Sequence, residues 1–226
     1  MKKLILLGAI AAPFAAQADV FNYAEFTGMG VGTVHGTMLN SDGNTIDVDY
    51  SGDLVGATQI NNTGTYYYTD VTHTNSGPYV NGLVGNAPSR SDIIALQGQN
   101  ANPTLNTITF SSAVTNPIFD IVSLGQPTLA TSYDFGSSSF SILSQDAGWW
   151  GGTNTSLSQT GNVLTGTEGS GVIQFNGTFT SISFTATPTE NWHGFTIGVN
   201  AVPEPSAIAA VGIGLVALVR RRRSSK

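Results

Sequence analysis

Three groups of residues in this chain could carry chemistry: a tryptophan pair set among glycines, a run of oxygen-bearing side chains, and three scattered histidines. Trp149-Trp150 lies between Gly148 and Gly151-Gly152. An exposed indole beside glycines suits stacking on a sugar ring, while core or edge packing is its competing fate. Consecutive strand residues face opposite ways, so one ring at most is expected in the core and the other at the surface. Trp149 and Trp150 are therefore candidate ligand-binding residues. Asp42, Asn44, Asp47, Asp49 and Asp53 fall within one short stretch around a Ser41-Asp42-Gly43-Asn44 turn. Calcium takes oxygen ligands from adjacent loops, which makes Asp42, Asn44 and Asp47 candidate calcium ligands. The stretch departs from an EF-hand, because Thr45 stands where the loop glycine belongs and no Glu closes it. If 45–50 is a strand, Asp47 and Asp49 simply form its solvent face.

Other chemistries find no footing. His35, His73 and His193 form no H-E-x-x-H pair and read as surface or strand residues. Glu168-Gly169-Ser170-Gly171 lacks the first glycine of a nucleophile elbow and reads as a turn before a strand. Glu is scarce (Glu25, Glu168, Glu190, Glu204), and no carboxylate sits in a catalytic motif. The chain has no cysteine, which removes disulfides, thiol catalysis, iron-sulfur clusters and cysteine-based zinc sites. The expectation is a protein without catalytic residues and without a cofactor, calcium excepted.

Charge narrows the partners. Of 8 Lys and Arg residues, Lys2, Lys3, Arg220, Arg221, Arg222, Arg223 and Lys226 stand at the ends, leaving only Arg90 between them. All 14 acidic residues lie between those basic ends. So anionic a surface repels phosphate backbones and argues against nucleic acid. It accommodates divalent cations, neutral sugars or basic partners.

The elements that must position these residues read as β. No stretch carries a helical apolar period. Residues 45–50 alternate, with Ile46, Val48 and Tyr50 on one face and the aspartates on the other. Residues 117–124 are continuously apolar, as a strand buried on both faces would be. Further strands are expected over 105–110, 139–143, 171–175, 178–185 and 193–200, the last just after Trp192. Short runs with turn signals between them predict an all-β, antiparallel β-sandwich or jelly-roll-like domain. Residues 58–102, with Tyr66-Tyr67-Tyr68, read either as a long loop insertion or as weak edge strands.

The two ends read differently. Lys2 and Lys3, the apolar run 4–16 and Ala16-Gln17-Ala18 have the order of a signal peptide, a helix cleaved before Asp19. At the other end Val202-Pro203-Glu204-Pro205 precedes the apolar run 207–219 and then Arg220 to Arg223. Thirteen uncharged residues make a helix of about 20 Å, short of a ~30 Å hydrocarbon core unless the arginines snorkel or the bilayer thins. The arginines form a stop-transfer block. The two prolines hold Glu204 on an extended segment outside the membrane. Gly212-Ile213-Gly214 within this run matches a dinucleotide pattern only by letters, since no strand precedes it.

Residues 201–226 resemble the PEP-CTERM sorting signals of exported Gram-negative proteins: a Val-Pro-Glu-Pro motif, a short apolar helix and an arginine cluster, in that order. The resemblance implies a membrane-embedded exosortase that recognises the tail and removes it, and an association with exopolysaccharide, cell surface and biofilm. The expected organisation is a signal peptide over 1–18, a mature β-sandwich domain over 19–200 and a sorting tail with a transmembrane helix over 201–226. The expected route is export by signal peptidase, an inner-membrane-anchored intermediate, and then the cell surface or extracellular matrix. The expected role is structural or adhesive. A carbohydrate-binding module, calcium-stabilised or not, is the second reading, and a polysaccharide hydrolase or lyase the third.

Overall fold

The computed structural model describes residues 18–81 and 83–201. The expected signal segment before Ala18 and the tail from Val202 onward, with its sorting motif and arginines, lie outside the described residues.

Fourteen strands form in chain order: β1 (Phe21–Tyr23), β2 (Glu25–Gly30), β3 (Thr33–Leu39), β4 (Thr45–Ser51), β5 (Ile94–Leu96), β6 (Asn106–Thr115), β7 (Ile118–Leu124), β8 (Thr131–Asp134), β9 (Phe140–Asp146), β10 (Leu157–Thr160), β11 (Val163–Gly166), β12 (Gly169–Phe175), β13 (Thr178–Thr187) and β14 (His193–Asn200). No α-helix occurs among the described residues; one 3-10 turn spans Gly77–Tyr79. The strands make two antiparallel sheets. One has the order β10-β11-β8-β13-β6-β4-β3-β2. The other has the order β1-β14-β7-β12-β9, with β5 sharing the β1 edge of β14.

The sheets face each other across one apolar core. Ile46, Val48 and Tyr50 of β4 point into it, with Ile182 and Phe184 of β13. Phe119 and Ile121 of β7 meet them from the other sheet, with Phe195 and Ile197 of β14. Phe119 stacks on Phe195 at 4.7 Å, and Tyr50 meets Phe195 edge-on at 6.3 Å. This is the β-sandwich the alternating runs require. The turn at 40–44 is closed by the Asn40 side-chain carbonyl, which accepts from the backbone N–H groups of Asp42 and Asn44 at 3.0 and 2.9 Å. Gly43 supplies the positive φ of that turn.

The six-stranded sheet is covered on its other face as well, over its central strands. Ile118 and Val122 of β7 and Val172 of β12 pack beneath Tyr68, Tyr79, Val84 and Ile93. Those last four come from the segment left open between loop and edge strands. It is a long covering loop that contributes only β5 and isolated bridges to the sheets. Its tyrosine hydroxyls brace the segment internally, Tyr66 to the Pro88 carbonyl and Tyr68 to that of Asp92, and Tyr79 ties it to the sheet at the Ile121 carbonyl.

The register defines two poles. Asp146, Gly169, Leu124, His193 and Leu96 lie at one end of the six-stranded sheet. Phe140, Phe175, Ile118 and Gly198 lie at the other, with Tyr23 paired to Gly198. Both chain ends leave from this second pole, where the Ala201 N–H donates to the Val20 carbonyl at 2.7 Å.

Candidate functional site: an aromatic pole

The first pole carries the tryptophans. Beyond β9 the chain makes a tight turn closed by paired Gly148 and Gly151 hydrogen bonds of 2.7 and 3.1 Å. A Cβ at Gly148 would lie 2.2 Å from the Ser170 hydroxyl oxygen, so only glycine lets the turn sit against β12. Trp149 and Trp150 are its two tip residues. They diverge because of the turn, and the strand alternation expected for them does not apply. Trp150 is 50% exposed, whereas Trp149 is half-buried.

Three residues distant in sequence complete the patch. Tyr67, the middle tyrosine of its triplet, meets Trp149 at 5.4 Å, Trp150 at 4.9 Å and Trp192 at 5.2 Å. Trp192 lies 5.0 Å from Trp150. His73 stacks on Trp149 at 3.7 Å with 30° between the rings. The patch rests on the tyrosine layer below, since Tyr67 and Trp192 also pack against the outer apolar cluster. Rings fixed by neighbouring rings lose little rotamer freedom on meeting a ligand.

Two carboxylates, Asp70 and Asp146, stand beside ring residues of the patch in the chain, and a third, Glu168, turns inward. Asp70 accepts from the Thr72 hydroxyl and backbone N–H and from Asn75, and these bonds, the Thr72 hydroxyl foremost, pull its carboxyl down to about 2. The Asp70 carbonyl accepts from the His73 N–H at 3.0 Å. Asp146 is exposed and three residues before Trp149. Glu168 backs onto Gly152, where a Cβ would lie 2.3 Å from its carbonyl oxygen. Burial pushes the Glu168 carboxyl up against the opposing hydrogen bond from the Ser123 hydroxyl.

Beneath this pole His193 and Glu190 are fully buried and paired, with Nδ1 and Oε1 2.6 Å apart. The Gly125 N–H also donates to Glu190, at 2.7 Å. The other histidines lie outward: His35 is 2.7 Å from Asp49 on the open face of β3 and β4, and His73 belongs to the aromatic patch.

The calcium candidates stand elsewhere. Asp42 and Asn44 belong to the β3–β4 turn, and Asp47 projects from the solvent face of β4. The residue before that turn, Leu39, accepts a hydrogen bond from Asn22 of β1, so the group sits toward the chain-end pole. Among the described residues no three His, Asp or Glu side chains are set to hold a metal ion.

An antiparallel β-sandwich with an aromatic pole is the class the described residues define. The family described as PEP-CTERM protein-sorting motif matches residues 201–223, so the chain carries that motif in its C-terminal tail. The motif implies an exported protein that passes through the membrane and is processed by an exosortase. No curated protein and no solved structure matches the chain. Tyr67 and His73 are not marked as site residues by the sequence alone; the one signal for Tyr67 is the Tyr66-Tyr67-Tyr68 triplet.

Proposed function

We propose that the mature domain is a structural or adhesive component of the cell surface or extracellular matrix, one that holds polysaccharide through its aromatic pole. The observation carrying this reading is the half-exposed Trp150 braced by Tyr67 and Trp192 at the pole opposite the chain ends. β14 runs between the poles, and its eight residues span about 24 Å at ~3.4 Å each. Until the tail is removed, a protein held by it would thus present the rings away from the membrane. Aromatic faces take the C–H face of a pyranose while its hydroxyls stay in water, which suits repeated weak contacts along a polymer.

The reading assigns the tail a role in delivery alone. Replacing Pro203, Glu204 and Pro205 with Gly-Ser-Gly should leave membrane insertion intact and block tail removal. The precursor then accumulates in the inner membrane of a host that has its exosortase. A variant that reaches the surface as efficiently as wild type would show that the tail is only an anchor. For the pole, Trp150→Ala should weaken retention of the full chain on polysaccharide-coated beads about tenfold, because such ring contacts dominate sugar affinity. Undiminished retention removes the pole from the reading. Catalysis has no part in this reading. Calcium has none at the pole, so chelation should leave retention unchanged.

A further inference from the structure

We infer that the aromatic pole selects saccharides bearing free amino groups over neutral and acidic ones. The inference rests on the saccharide-contact reading above and names its ligand class.

The argument is one of charge around the rings. Asp70 lies three residues from both Tyr67 and His73 and its carbonyl holds the His73 N–H, while exposed Asp146 stands three residues before Trp149. Asp70 stays ionised throughout the physiological range because Thr72 and Asn75 hold its carboxylate. Among the described residues Arg90 is the one Lys or Arg, and it is engaged elsewhere. Its guanidinium lies 3.0 Å from Asp92 and 3.5 Å from Glu25, in a depression shared with Phe21 and Tyr23 of the chain-end pole. Among the described residues no lysine or arginine therefore offsets the acidic border of the rings. His73 is the one basic group beside them, and its ring face is covered by Trp149.

A sugar ring stacked on Trp150 keeps its substituents at the rim, where the carboxylates lie. An ammonium there gains from the negative ring faces and from the carboxylates together. A carboxylate or sulfate on the sugar meets like charge with nothing to pair it, and a hydroxyl or acetamide is indifferent to the field. The same rings thus admit three kinds of pyranose and rank them by charge.

The test is calorimetric titration of the full-length chain in detergent, at mildly acidic pH, with three hexamers of equal linkage: glucosamine, N-acetylglucosamine and a uronate. The glucosamine hexamer is expected to bind about fivefold tighter than the acetylated one at low salt, and the uronate weakest. The preference should collapse on the order of 0.5 M salt, where exposed charges are screened. Asp70→Asn with Asp146→Asn should abolish the preference while leaving the acetylated hexamer's affinity unchanged. Trp150→Ala should weaken both hexamers. Equal binding of the amino and acetylated hexamers, both lost in Trp150→Ala, overturns the inference and leaves the polysaccharide reading standing. Hexamer binding that Trp150→Ala does not touch overturns both.

Discussion

The two sheets of this sandwich are built from similar residues and live in different solvents. β4, in the eight-stranded sheet, alternates strictly: Ile46, Val48 and Tyr50 are buried, while Thr45, Asp47, Asp49 and Ser51 face water. β7, in the six-stranded sheet, is buried at every position from Ile118 to Leu124. One sheet therefore has a wet face, whereas the outer face of the other is covered over its central strands, because the segment between β4 and β6 lies across it. The cover does more than exclude water. Its tyrosine triplet sends Tyr68 down against the sheet and Tyr67 up against the tryptophans, so the aromatic pole stands where the cover meets the sheet's end.

If the cover is part of the core, a hole in it must cost as much as a hole between the sheets. Tyr79 is fully buried, meets Tyr68 edge-on at 5.4 Å and donates its hydroxyl to the Ile121 carbonyl at 3.1 Å. Tyr79→Ala should lower the unfolding free energy by ~3–5 kcal/mol, the usual range for a buried aromatic. Thr109→Ala, on the wet face of β6, should change it by less than ~0.5 kcal/mol. Urea melts of the two variants measure the contrast. Similar losses at both sites would dissolve the distinction between the faces.

Asp120 sharpens the comparison, since it is a carboxylate in the dry layer. It pairs in register with Thr196 and Val172 and is fully buried on the covered face. Neither carboxylate oxygen has a hydrogen-bond partner among the described residues. The Tyr23 hydroxyl lies beside it but donates to the Asn86 carbonyl at 2.8 Å. Burial pushes the Asp120 carboxyl well above the usual range, because a dry surrounding disfavours its charged form. A group whose folded pKa exceeds its unfolded one contributes its full stability below the unfolded value. That contribution is lost as pH rises through the folded value. Wild-type stability relative to Asp120→Asn should therefore fall above about pH 4, with a slope of at most about 1.4 kcal/mol per pH unit. Melts of both proteins between acidic and mildly alkaline pH give the difference directly. A flat difference would mean that Asp120 ionises freely and the cover admits water.

Much of this division was legible in residue order. The alternation of 45–50 and the unbroken apolar run of 117–124 mark β4 and β7, including which is buried on one face and which on two. The strand over 193–200 is also readable from Phe195, Ile197 and Val199. By contrast β10 and β11 are four residues each, rich in Ser, Thr and Gly. They pair with each other across the two-residue Gly161-Asn162 turn, a local signal, but β11 is held in the sheet by non-local pairing with β8. The cover was illegible for the same reason, as its tyrosines act through contacts with carbonyls far along the chain. At the pole, the glycine-flanked Trp149-Trp150 pair was visible as a candidate, whereas Tyr67, His73 and Trp192 join it only through the fold.

The smallest effect belongs to the wet face, where a charge pair of similar chemistry should matter least. His35 of β3 and Asp49 of β4 are register partners with Nδ1 and Oδ1 2.7 Å apart. The hydrogen bond to Asp49 raises the imidazole above its ordinary value of about 6.5, with the charges of Asp49 and Asp47 adding to it against a slight opposing effect of burial. The sign is that of any group with a raised folded pKa: the pair stabilises at pH values below the ordinary imidazole range and ceases to as pH rises through the folded value. Water screens it heavily, because the side chains are 53% and 58% exposed. An NMR titration should find His35 above the ordinary value in wild type and returned toward it in Asp49→Asn. On the order of 1 M salt should shrink the shift, as the screening length falls to ~3 Å. The unfolding free energy of Asp49→Asn should match wild type to within ~0.5 kcal/mol at any pH. An Asp49→Asn loss approaching that of Tyr79→Ala would mean that the outer face of the eight-stranded sheet is also covered, and the contrast between the sheets would have to be given up.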